Sequence, residues 1–126
     1  MLKKSFTLLE MLIVLGIIAV ILSIVTVAYS TTQKKSRDAK RKSDMKNMQN
    51  ALEQYYSVCG YVYPTGISPN GIMCGGSPAI LTGMPVDPKT ATPYVYSTTA
   101  PSAGFSLCTT NLESESPTGY CVYNQQ

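Results

Sequence analysis

Glu10 is the residue whose placement most needs a chemical reason. It stands directly before an uncharged run, Met11 to Ala28, in which only Gly16, Ser23 and Thr26 interrupt Leu, Ile, Val, Met and Ala. A carboxylate at the centre of a membrane helix costs about 2.5–3.5 kcal/mol, and less near its end. Two chemistries suit it there: hydration at the level of lipid headgroups, or pairing with a cation from another subunit. The next reactive residues are Cys59, Cys74, Cys108 and Cys121. They contain no C-x-x-C, and the chain has no histidine, so a zinc site is a poor reading. In a small exported chain they point to two disulfides and an oxidising compartment. Four cysteines allow three pairings, and the expected one joins sequence neighbours, Cys59 with Cys74 and Cys108 with Cys121. The absence of histidine also removes the commonest general base at neutral pH. Asp87, Glu113 and Glu115 are the only carboxylates after Glu53, and with Asn111 they offer oxygens to calcium. No aspartate-rich loop accompanies them, so they read as solvated loop acids. We expect no metal, no cofactor and no catalysis.

These residues need elements to position them. At ~1.5 Å per residue, the apolar run spans roughly 27 Å as a helix, close to the hydrocarbon thickness of a bilayer. Lys3 and Lys4 precede it. No glycine or proline occurs between Ile17 and Val58, so one helix is expected from about Thr7 to about Ser57. Its second half carries a stripe of Met45, Met48, Leu52, Tyr55 and Tyr56 at three- and four-residue steps, the mark of a core-facing helix.

Lys3-Lys4-Ser5-Phe6-Thr7-Leu8-Leu9-Glu10-Met11-Leu12-Ile13-Val14 resembles the N-terminal signature of type IV pilins and type II secretion pseudopilins: a short basic leader, a small residue, Phe, Thr, two apolar residues, Glu and a long apolar helix. The resemblance implies that a membrane aspartyl prepilin peptidase cuts between Ser5 and Phe6. It also implies methylation of the new Phe6 amine, and pairing of Glu10 with the Phe6 amine of a neighbour during assembly. The family usually has glycine before the cut, where this chain has Ser5. Met84-Pro85-Val86-Asp87-Pro88 resembles the Pro-x-Asp-Pro element before the sheet of many pseudopilins. Physically it is a rigid bend in which Asp87 can cap a turn.

Lys34, Lys35, Arg37, Lys40, Arg41, Lys42 and Lys46 form a basic segment offset only by Asp38 and Asp44. It reads first as a solvated helix face, then as a surface for lipid headgroups or for acidic patches on neighbouring subunits. Nucleic acid is a weaker reading, since no aromatic residues interleave with the cations. Counting charges beside the apolar run would place the C-terminus in the cytoplasm; the cysteines and the leader favour an extracytoplasmic head instead. From Cys59 to Pro93 the chain is rich in Gly and Pro, with Ala79–Thr82 expected as a short apolar turn or helix. Strands are expected at Tyr94–Ser97, Phe105–Thr109 and Tyr120–Tyr123.

The expected fold is α+β: a long N-terminal helix packed on a small antiparallel β-meander, a lollipop. Its parts would be a leader at 1–5, a transmembrane and assembly helix at 6–33, and a head at 34–126. The net charge of +3 is mild and unevenly placed. The family resemblance implies a filament subunit of a pilus or pseudopilus, used in adhesion, motility, DNA uptake or secretion. Its partners would be identical or related subunits, the prepilin peptidase, the assembly machinery and the bilayer. It would cross the cytoplasmic membrane once, head outside, before entering an extracellular or periplasmic filament. The rival reading is a static, signal-anchored binding domain that never polymerises.

Overall fold

The structure, a computed structural model, describes residues 6–75, 78–99 and 103–126, with the side chains of 25–28 excepted. The chain divides into two compact units, Met1–Lys34 and Lys35–Gln126. One helix, α1, runs Leu8–Val58. Thr7 and Glu10 start it and a left-handed turn at Gly60 stops it. At the stop, the Tyr61 N–H donates to the Tyr56 carbonyl at 3.0 Å and the Cys59 N–H to the Tyr55 carbonyl at 2.8 Å. Gly60 has φ +84°. This is a Schellman ending, completed by the Tyr61 ring against Tyr56 at 5.6 Å.

In the first unit the apolar side chains from Leu8 to Ile24 are all exposed. Such a surface needs lipid or other helices to cover it. Among the described residues no single helix is long and apolar enough to cross a membrane; Leu8–Ile24 and Tyr29–Val58 meet that test only together, by length and composition.

In the second unit the stripe on α1 meets its sheet. Met45, Met48, Ala51 and Leu52 bury against Tyr63, Ile72, Tyr94, Phe105, Leu107 and Val122. Tyr55 and Tyr56 pack on this cluster half-buried. The sheet is an antiparallel meander of β3 (Val95–Thr99), β4 (Gly104–Thr109) and β5 (Tyr120–Tyr123) in that order. Alternation puts Phe105, Leu107 and Val122 into the core and Val95, Ser97 and Tyr123 on the outer face. Cys108 and Cys121 are direct cross-strand partners, bonded to each other with Cα atoms 4.2 Å apart. Cys59, just after α1, is bonded to Cys74.

One expected element is different. Leu81–Thr82 is no turn or helix but a strand, β2, paired antiparallel with β1 (Gly71–Ile72). Asn70-Gly71 supplies the reason. Gly71 adopts φ +117° and lies so close to β2 that a Cβ there would collide with the Leu81 carbonyl oxygen. The bonds Ile80 N–H to Ile72 O at 2.9 Å and Gly83 N–H to Asn70 O at 3.1 Å then favour a ribbon over an isolated helical turn.

Candidate functional site

Glu10 is held by its own chain. One of its oxygens, Oε2, accepts from the Thr7 N–H at 2.9 Å and from the Thr7 hydroxyl at 3.0 Å. The Glu10 N–H donates back to Thr7 Oγ1 at 3.2 Å. This is a reciprocal capping box, Thr7-Leu8-Leu9-Glu10, which satisfies donors that a helix start leaves unpaired. The four-residue pattern was legible in the sequence as a helix start as well as part of a signature. Phe6 is exposed beside it. Ser5, Lys3 and Lys4 lie outside the described residues.

The basic segment is a solvated face only in part: Lys34, Lys35, Lys40 and Lys46 are exposed, but Arg37 and Lys42 are partly buried and Arg41 is wholly so. Arg41 has no exposed surface, and three carboxylates surround it. Its Nε and Nη2 grip Asp87 at 2.7 and 3.1 Å, and its Nη1 reaches Asp38 at 2.7 Å and Glu113 at 3.1 Å. Arg37 donates twice to Glu113, at 2.8 and 2.7 Å, and Lys89 joins Glu113 at 3.1 Å. Three cations thus meet three acids. Lys42 binds Glu115 at 2.6 Å, and Lys40 binds Asp44 at 2.7 Å. Asp38 also accepts from the backbone N–H groups of Glu113 and Ser114 and from the Ser114 hydroxyl. Two loops are thereby fastened to α1.

These contacts correct the reading of Asp87 and Glu113 as solvated loop acids, whereas Glu115 is exposed and meets Lys42 at the surface. Asp87 and Glu113 are paired with cations on the helix, because acids so close to a low-dielectric core are tolerated only when matched. Asp87 additionally caps its own turn, accepting from the Lys89 and Thr90 N–H groups at 2.8 and 3.0 Å. The carboxylate titrations follow. The Arg41 guanidinium holds Asp87 far below the usual carboxylate range against the opposing effect of burial. Arg37, then Lys89 and Arg41, do the same for Glu113. Burial pushes Asp38 up, but Ser114, the Glu113 N–H and Arg41 outweigh it and bring the group to about 2. Sequence spacing could have signalled the Arg41–Asp38 and Lys40–Asp44 pairs at three and four residues. The partners from residues 87–115 had no local signal.

The same pairing weakens the nucleic-acid reading, since the cations best suited to phosphate are already matched. Lys34 and Lys35 are exposed. Beside β3 lies an open groove of about 470 Å³ whose lining includes Met48, Ile67, Met84, Val86, Tyr94 and Tyr96. No charged side chain lines it.

No curated protein matches the chain and no solved structure matches it. Residues 1–26, which hold Phe6, the Thr7–Glu10 box and most of the exposed apolar run, match the family described as the prokaryotic N-terminal methylation motif. The chain therefore carries the hallmark of type IV pilin and pseudopilin precursors, a family of structural subunits.

Proposed function

We propose that this protein is a filament subunit, cut after Ser5 by a prepilin peptidase, methylated on Phe6 and assembled through the apolar half of α1. The carrying observation is the exposed apolar surface from Leu8 to Ile24, whose single charge is Glu10. In lipid that surface is covered, and in a filament neighbouring helices would cover it. Lipid is as apolar as leucine, so the transfer needs helix packing, a charge pair and external work. The Phe6 amine of a neighbour is the cation that Glu10 would take. The head would stay outside the cytoplasmic membrane, where an oxidising compartment keeps both disulfides.

Mass spectrometry of the native protein tests the first step. The expected mature N-terminus is Phe6, carrying one added methyl group. Surface fractions containing a chain that starts at Met1 would overturn it. One observation favours the static-anchor reading: Glu10 already has an intrachain partner in Thr7. An intact N-terminus together with the absence of shearable filaments would establish that rival.

A further inference from the structure

All seven Asp and Glu side chains of the protein have partners within it. Glu10 is bonded to Thr7. Asp38, Asp87 and Glu113 meet Arg41, Asp44 meets Lys40, and Glu115 meets Lys42. Glu53 accepts from the Tyr63 hydroxyl at 3.0 Å and from the Gln125 N–H at 2.8 Å. The cations of the basic segment are matched less completely. Arg37, Lys40, Arg41 and Lys42 take acids, and Lys46 donates to the Gln49 side chain at 2.7 Å. Lys34 and Lys35 are exposed and have no partner among the described residues. They are also the first charges after Glu10, and so the nearest of the segment to the apolar run.

Their depth follows from the helix. Tyr29, directly after the run, is exposed. A tyrosine ring is favoured at the boundary between hydrocarbon and headgroups. From Ala28 to Lys34 and Lys35 the helix rises about 9–10 Å. The headgroup layer adds ~5–7 Å on each face of the hydrocarbon. Helical side chains lean toward the N-terminus, here toward the apolar run, and a lysine stem can lie along a helix while its ammonium seeks charge. Both ammonium groups therefore fall at the level of lipid phosphates. Being adjacent, the two residues diverge by about 100° around the helix and reach separate headgroups.

We propose that Lys34 and Lys35 bind the phosphate groups of anionic lipids, so that the protein selects anionic lipid around its anchor. A second copy of the chain is the poorer partner, because each of its carboxylates is already engaged. An anionic lipid has the opposite charge, the right depth and a place beside the apolar run. The inference rests on the reading that this run lies in a bilayer, and on neither cleavage at Ser5 nor filament assembly.

The test uses fluorescence quenching. The chain has no tryptophan, so Tyr29→Trp creates a single reporter at the site and keeps an aromatic ring at the boundary. The full chain carrying it is reconstituted at low density into vesicles of equal parts phosphatidylcholine and phosphatidylglycerol. Brominated acyl chains are placed on one lipid or on the other, in both leaflets. Brominated phosphatidylglycerol is expected to quench more, with a preference of roughly fivefold, the effect of one lysine near an anionic surface. Lys34→Gln combined with Lys35→Gln should bring the two lipids level. Lys46→Gln removes an equal charge farther along the helix and should leave the preference intact. Strong but equal quenching by both lipids in the unaltered basic segment would overturn the proposal alone. So would an equal loss from Lys46→Gln, which would mean net charge only, or a preference seen only at high protein density, which would place the lysines on neighbouring chains. Quenching by neither lipid would overturn the bilayer reading itself, and this proposal with it.

Discussion

Arg41 is a guanidinium with no exposed surface, and its environment makes it irreplaceable by a shorter cation. Arg41→Ala should destabilise the head by about 3–5 kcal/mol, because Asp38 and Asp87 would stay buried without their cation. For so small a head that is most of its stability. Arg41→Lys should recover little, since an ammonium cannot grip Asp87 through two nitrogens. Thermal unfolding of the full chain in detergent, followed by tyrosine circular dichroism, measures both; an unchanged midpoint for Arg41→Ala would show the pairs to be incidental. Glu10 is tested differently, because its proposed partner lies in another molecule. Glu10→Ala should leave the precursor inserted and cut, and the head folded, while sheared filaments disappear. Glu10→Gln should behave nearly as badly, since an amide cannot neutralise the neighbour's amine. Normal filament yield from Glu10→Ala would reduce the carboxylate to its capping role.

At the scale of elements, the β1–β2 ribbon depends on one atom that is not there. Gly71→Ala would drive a methyl group into the Leu81 carbonyl, at a φ that side chains rarely adopt. The ribbon should open, and the amides of Ile80 and Gly83, protected in the native protein, should exchange with solvent at the rate of a loop. Retained protection in that variant would mean that the Cys59–Cys74 bridge alone holds the segment. The long helix and the meander were legible from the sequence because both obey a local period: three- and four-residue steps from Met45 to Tyr56, and alternation in Phe105–Thr109. Two-residue strands have no period, which is why Ala79–Thr82 was legible only as an apolar patch. The candidate site was half legible for a similar reason. Thr7 and Glu10 lie within one helical turn and show as a motif, whereas Arg41 and Asp87 are brought together only by the fold. A sequence presents a cation on a helix and an acid in a loop as two solvated residues until the packing between them is known.

For the whole molecule, the depressed carboxylates fix the response to acid. Asp38, Asp87 and Glu113 all titrate lower in the folded head than in the open chain. Their contribution is therefore complete above the ordinary carboxylate range, near pH 4, and is lost as the pH falls from there toward 2 and below. The unfolding midpoint should be flat between pH 7 and 5 and drop steeply below 4; a midpoint that rises on acidification would contradict the pairing. The same ion pairs also impose an order in time. The chain is made from its N-terminus, so Arg37, Arg41 and Lys42 exist long before Glu113 and Glu115, their counterparts near the other end. Until those late acids arrive, the helix carries unmatched positive charge and β4 lacks its neighbour β5. A prematurely ended chain would stay open and exposed to proteases. Closing of the head thus waits until residues 113–123 have been made, and only then do Arg37 and Lys42 find the acids that match them.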